Sequence, residues 1–161
     1  EIETSKAIGI QLIRHRSFSF QEFSQRYQDV NKFGEIFEPI ELRAQCEDNR
    51  QSSTEVIDPI VEMSPFLSTR ASHLIQDHFK NSHRLYNELL NIGVAREQAR
   101  MVLPLATTTK IHMTGSIRSW IHFLELRDDE HAQKEIQLVA KEIKKHFIQE
   151  FPIISTALGY V

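Results

Sequence analysis

The sequence predicts an α+β fold built as one helix-rich domain, and three observations carry that reading. Apolar residues return at helical spacing over two long stretches, one ending near Asn91 and one covering about 129–151. The run TTTKIHM (107–113) is β-branched at its front and predicts a strand or extended stretch. The 161 residues are 40% hydrophobic and 25% charged, the balance of an ordinary domain that buries well over half of its unfolded surface. No repeat, low-complexity tract or linker divides residues 1–161.

Residues 5–16 (SKAIGIQLIRHR) predict a first helix with Ser5 as its N-cap and Ala7, Ile10 (with Ile8) and Ile13 facing inward. Gly9 weakens it, since glycine costs ~1 kcal/mol inside a helix. Over 17–27 polar and aromatic residues alternate briefly and then stop, which predicts an extended segment or a loop with fixed contacts. Residues 44–57 have little apolar content and no period, the pattern of a mobile loop. Ser64-Pro65 pairs an N-cap serine with a proline at the first helical position. It predicts a helix from there to about Asn91, striped by Leu67, Leu74, Ile75, His78, Phe79, Leu85 and Leu89, with Gly93 as terminator.

A short helix over 95–103 is stopped by Pro104. Residues 115–126 return to helical period with Ile117, Ile121 and Leu124 inward, while Arg118, His122 and Glu125 share another face. The last helix, about 129–151, has acidic residues in its first turn, which suits the helix dipole. Ala132, Ile136, Val139, Ile143, Phe147 and Phe151 form its stripe.

Composition excludes several functions. Lys plus Arg total 19 against 22 Asp plus Glu, a net charge of -3, whereas a nucleic-acid coat relies on surplus positive charge. Cys46, the only cysteine, can form neither an internal disulfide nor a cysteine zinc site, so a reducing, cytoplasmic compartment is expected. No apolar run approaches the ~18 residues of a membrane span, and no signal peptide is present. The chain begins at Glu1 within an amphipathic segment, as expected of a start cut from a longer protein. GxGxxG, P-loop and GxSxG motifs are absent. The eight histidines include no HExxH and no pair at i, i+4. His73, His78 and His83 are spread by ~140° per step, so no metal site is expected. Cys46 has no basic cluster nearby and is expected to be inert.

The densest signal is basic. Arg14-His15-Arg16 ends the first predicted helix, where cations complement the helix dipole. Neighbours sit ~100° apart, so the three groups point in different directions. Glu22, Ser24, Gln25 and Arg26 then bring four polar chemistries into a segment anchored by Phe18, Phe20 and Phe23. Two readings are open there: an oriented polar ligand, or a surface strand. Arg100 lies among Ala99, Met101, Val102 and Leu103 and must either snorkel or meet an anion. Arg127 can pair with Asp128 or Asp129, or act elsewhere. Guanidinium forks match phosphate and carboxylate oxygens, so several of them on one pocket would suit a nucleotide or a pyrophosphate cofactor.

Arg14-His15-Arg16, seven residues, then Ser24 followed by Gln25-Arg26-Tyr27, resembles the signature of the flavin-dependent thymidylate synthases. A second block is similar in order and separation: ARMVLPL (99–105), TGSIRSWIHFLELR (114–127) and HAQKEI (131–136). The looser stretch over 41–53 agrees, and the resemblance covers roughly 5–152. It implies reductive methylation of dUMP to dTMP, with methylenetetrahydrofolate giving the carbon and FAD, reduced by NADPH, giving the hydride. It further implies a small mixed or antiparallel sheet and a cytoplasmic homotetramer with active sites shared between subunits. An N-terminal part of the domain, with more flavin contacts and a histidine near the folate, would precede these residues.

Carried over by position, Gln11, Arg14, Glu22, Phe23, Ser24, Gln25, Arg26, Arg100 and Arg127 would bind dUMP, chiefly its phosphate and sugar. Arg14, His15, Arg16, Glu22, Ser116, Ile117, Arg118 and His122 would contact FAD. Glu22 would lie between flavin and nucleotide. Family members often carry asparagine where this chain has Ser116 and His122, and both substitutes hydrogen-bond. Arg127, matching the arginine beside the uracil ring, would be the catalytic residue. Uracil C5 is a poor nucleophile until electron density enters the ring, and a guanidinium beside N3 and its neighbouring carbonyl would stabilise that charge without a covalent protein bond. Ser24 would need an adjacent base to act as a nucleophile, so a binding role is expected. The alternative is a non-catalytic nucleotide- or flavin-binding module that keeps the arginine pocket.

Overall fold

The computed structural model describes residues 1–32, 34–50 and 52–161. It is α+β, with six helices and three small sheets among the described residues. The chain forms two compact units. Unit one comprises Glu1–Arg14, Phe20–Ala44 and Glu55–Met113, and unit two His15–Ser19, Gln45–Thr54 and Thr114–Val161.

Strand β1 (Ile2–Ser5) runs into helix α1 (Lys6–Leu12), and Ser5 caps it as expected, accepting from the Ile8 amide at 3.4 Å. The inner face differs from the expected one. Ile8, Gly9 and Leu12 are buried, whereas Ile10 and Ile13 are exposed. Gly9 marks a close approach: a Cβ there would stand 3.1 Å from Ile111 Cδ1. The helix ends at Leu12, so Arg14, His15 and Arg16 lie beyond it, on the turn before β2 (Phe18–Glu22).

The stretch over 44–57 is not a structureless loop. It holds part of β3 (Arg43–Gln45) and β4 (Ser53–Val56), which pair as a two-stranded sheet. Gln51, within that stretch, lies outside the described residues. Ser64-Pro65 does not open a helix either. It forms the turn of an antiparallel hairpin, β5 (Ile60–Ser64) and β6 (Leu67–Arg70). Proline fixes φ equally well for a turn and for a helix start, and pairing to β6 decides the outcome.

Helix α2 (Ala71–Asn91) begins only after β6, and its cap comes from elsewhere in the chain. The Asp58 carboxylate accepts from the Ser72 amide at 3.0 Å and the Ser72 hydroxyl at 2.8 Å, bonds that lower its pKa. Ser82 and Tyr86 are its buried positions, while His78 and Leu85 of the expected stripe are exposed. Gly93 ends it as expected at φ 87, with Val94 N–H reaching the Leu89 carbonyl at 2.9 Å. Tyr86, Val30 and Ala99 centre a cluster joined by Leu89, Val94 and Leu103. Ala99 ends the short α3 (Arg96–Ala99), which a 3₁₀ turn over Arg100–Val102 continues toward Pro104.

Strand β7 (Thr108–Gly115) confirms the expected strand and is central in the sheet order β1-β7-β2, pairing antiparallel with β1. Three successive threonines, Thr107 just before the strand and Thr108 and Thr109 at its start, are buried, and each hydroxyl donates to a different segment. Thr107 reaches the Pro104 carbonyl (2.6 Å), Thr108 the Glu35 carbonyl (2.9 Å) and Thr109 the Glu22 carboxylate (2.9 Å).

In unit two, α4 (Ile117–Arg127) is capped by Ser116, which accepts from the Ser119 amide at 3.2 Å. Phe123 and Leu124 are buried there, and Ile117, expected inward, is 39% exposed. The final long helix α5 (Lys134–Glu150) starts later than expected, because residues 128–132 form turns and bends. Ile136, Ala140 and Phe147 bury its inner face. Phe151 breaks it, and Pro152 opens α6 (Pro152–Ala157).

Candidate active site

In unit one, the expected nucleotide residues gather on α1, on β2 and the turn after it, and beside α3. Glu22 ends β2, where its Oε1 accepts from Lys6 Nζ at 2.7 Å and from Thr109 Oγ1 at 2.9 Å. The following residues make a turn in which the Ser24 carbonyl accepts from the amides of Tyr27 (3.1 Å) and Gln28 (3.0 Å). Gln25 is buried, and its Nε2 has no hydrogen-bond partner among the described residues. A buried, unanswered amide costs free energy in the free protein and is available to a ligand oxygen.

Arg96 holds this turn from α3, donating Nη1 to the Tyr27 carbonyl at 2.9 Å. Arg26 lies 3.8 Å from Glu97 and over the Tyr27 ring at 5.6 Å, with half of its side chain exposed. Arg100 is half-buried, its Nε donates to the Glu97 carbonyl at 3.3 Å, and it pairs with no carboxylate among the described residues. Gln11 and Phe23 stand on the same unit, half-buried, and the Phe23 amide donates to the Lys110 carbonyl at 2.8 Å.

In unit two, His15 and Arg127 meet. Arg127, the last residue of α4, donates Nε–H to His15 Nε2 at 2.9 Å. The imidazole therefore keeps Nε2 unprotonated and carries its proton on Nδ1. Burial is the main reason its pKa is lowered, with the neighbouring charges of Arg127 and His122 adding to it. Burial also lowers the pKa of Arg127. Phe123 packs edge-on to the His15 ring at 5.0 Å and Phe18 at 6.4 Å, which fixes the ring plane. The salt bridge that sequence offered Arg127 goes to another residue: Asp128 pairs with Lys144 at 2.8 Å.

Arg118 and His122 share one exposed face of α4 with Glu125, as expected, and His122 Nδ1 lies 3.9 Å from the Glu125 carboxylate. Ser116 spends its hydroxyl on the helix cap and on Ser119 Oγ at 2.9 Å. Arg14, Arg16 and Arg118 are exposed and make no ion pair among the described residues. Such guanidiniums fit the phosphates of a dinucleotide cofactor.

Sequence reasoning missed the supporting residues Lys6, Thr109 and Arg96. A lysine at a helix start and a threonine in a strand carry no local sign of what they touch 16 and 87 residues away. Two grooves beside α2, of about 480 and 360 Å³, share Ile40, Ile75 and Phe79 and contain none of the expected site residues. No group of three or more metal-ligating side chains occurs among the described residues, and no helix there is long and apolar enough to cross a membrane.

A family model described as thymidylate synthase complementing protein matches residues 1–153. A probable flavin-dependent thymidylate synthase of Paramecium bursaria Chlorella virus 1 is 42% identical over 161 residues, covering 100% of this chain and 70% of the relative. The flavin-dependent thymidylate synthase of Synechocystis is 42% identical over 160 residues, with coverage of 99% and 70%. That of Thermosipho africanus is 39% identical over 145 residues, with coverage of 90% and 60%.

Proposed function

The chain belongs to the flavin-dependent thymidylate synthase family, an enzyme family of thymidylate synthesis, and we propose that it methylates dUMP reductively to dTMP with methylenetetrahydrofolate, FAD and NADPH. The observation that carries the mechanism is the Arg127–His15 hydrogen bond. A half-buried guanidinium, aimed by a neutral imidazole through Nε, keeps both terminal nitrogens for a ligand. Beside a uracil ring they stabilise negative charge on N3 and the adjacent carbonyl, and partial desolvation strengthens that interaction. C5 becomes nucleophilic with no covalent bond to the protein.

The protein's nucleophile candidates support that route. Cys46 is half-buried near the β3–β4 pair, and no base hydrogen-bonds the Ser24 hydroxyl among the described residues. Gln11, Arg14, Glu22, Phe23, Ser24, Gln25, Arg26 and Arg100 hold the nucleotide in this reading, with the buried Gln25 amide as one donor. Arg14, His15, Arg16, Glu22, Ser116, Ile117, Arg118 and His122 hold the flavin. When bound, the flavin supplies the hydride drawn from NADPH. Active sites are shared between the subunits of a homotetramer.

The test follows tritium release from dUMP labelled at C5, with FAD and NADPH, with and without methylenetetrahydrofolate. FAD-dependent release, with dTMP formed only when the folate is present, is the expected result. Binding of dUMP and FAD without release would instead identify a non-catalytic binding module, and binding of neither would overturn the reading.

A further inference from the structure

Two elements grip the Glu22 carboxylate, and both meet the same oxygen. Lys6, the first residue of α1, places Nζ 2.7 Å from Oε1, and Thr109 of β7 donates Oγ1 to that atom at 2.9 Å. The main chain behind each contact is pinned to β7 or the residues leading into it: Lys6 N–H donates to the Thr107 carbonyl at 2.9 Å and Phe23 N–H to the Lys110 carbonyl at 2.8 Å. Gly9 lets α1 lie this close, since a Cβ there would stand 3.1 Å from Ile111 Cδ1, 3.3 Å from Thr109 Cγ2 and 3.6 Å from Glu22 Oε1.

A carboxylate has about four lone-pair positions over two oxygens. With an ammonium and a hydroxyl on Oε1, the group cannot rotate without giving up both donors, and Oε2 becomes an acceptor of fixed direction. Among the described residues no hydrogen bond reaches Oε2. The Lys6 and Glu22 side chains are 21% and 30% exposed, so the pair stands at a surface where an ion pair alone adds little to stability. Its effect is directional.

We propose that Lys6 is a positioning residue of the active site, fixing Glu22 with Thr109 so that Oε2 accepts one N–H or O–H from the nucleotide or the flavin. The proposal rests on the reading that Glu22 faces those two ligands. It assigns a role to a residue outside both predicted binding sets and explains why Glu22 is tethered from one side only.

The test compares Lys6→Met, Lys6→Arg, Glu22→Gln and the Lys6→Met/Glu22→Gln double variant. The readouts are thermal melting, FAD and dUMP affinity, and kcat and KM for dUMP. Lys6→Met is expected to melt close to the parent yet weaken one of the two ligands by roughly tenfold, the scale of a lost charge-assisted hydrogen bond. The ligand that weakens identifies the donor to Oε2. Lys6→Arg is expected to restore most of the affinity, and Lys6→Met to add nothing in the Glu22→Gln background.

Full binding and turnover in Glu22→Gln would overturn the reading of Glu22 itself. A loss in Glu22→Gln with none in Lys6→Met, or two losses that simply add, would overturn the role of Lys6 alone. If Lys6→Met does not fold, Thr109→Val removes the second donor. Unchanged affinity for both ligands in that variant would equally overturn the proposal.

Discussion

Arg127 holds its position through one nitrogen and, in the proposed mechanism, acts through the other two, which makes its replacement by lysine informative. Lysine keeps the charge but loses the fork and the Nε–H that meets His15. Arg127→Lys is expected to fold normally and lose about 10²-fold or more in kcat, the scale for removing one preorganised donor to a developing charge. Near-parent turnover in that variant would remove Arg127 from the mechanism. His15 adds a pH dependence whose sign follows from its environment. Burial first, then Arg127 and His122, hold its pKa below the ordinary 6.5. The unfolded chain therefore takes up this proton at a higher pH than the folded one. Stability from the neutral His15 is complete above about pH 6.5 and declines as pH falls through the lowered value. Thermal melts across this range should show that decline in the parent and a weaker one in His15→Gln, whose amide oxygen can still accept from Arg127. Parallel pH curves for the two proteins would exclude His15 as the source.

Among elements, Gly115 at the end of β7 is the tightest glycine. A Cβ there would fall 2.4 Å from Cδ1 and 2.6 Å from Cε1 of Phe18, a buried ring packed edge-on against Trp120 at 4.7 Å. Gly115→Ala is expected to cost about 1–3 kcal/mol in urea denaturation, the range for overpacking a filled core. Gly9→Ala should cost less, since its nearest contacts lie at 3.1 and 3.3 Å. The same elements show what local sequence can convey. Ser5 and Gly93 act within a few residues of themselves, and their cap and stop are legible by eye. The start of α2 was not legible, because its cap is Asp58 on the far side of a hairpin. Ser64-Pro65 misleads because its local geometry serves a turn as well as a helix. Residues 44–57 hide β4, whose four residues are all exposed and so show no apolar alternation.

For the whole chain, the two units divide the proposed binding residues almost by ligand. Unit one carries the nucleotide set apart from Arg127. Unit two carries the flavin set apart from Arg14 and Glu22. Motif order in the sequence suggests which residues form the proposed site, but not that Arg127 meets a histidine 112 residues earlier. The proposed sharing of sites within a homotetramer gives a further expectation. Arg14→Ala and Arg127→Ala, each inactive alone, should recover part of the parent activity when refolded together, because some mixed sites would combine intact residues from two copies. Sedimentation velocity reports the oligomer, and dTMP formation reports the recovery. A mixture as inactive as its components would assign Arg14 and Arg127 of each site to a single subunit.

The threonine run at the start of β7 sets a limit on how this protein can drift in sequence. Valine matches threonine in shape and favours strands equally, so packing alone would let positions 107–109 exchange freely between the two. The acceptors on the other side forbid it: two carbonyls and one carboxylate, on three separate segments, would each lose a donor. The identity of these residues is imposed from outside the strand. A saturation library at the three positions should therefore accept serine before valine, reversing the order that β-propensity alone would give.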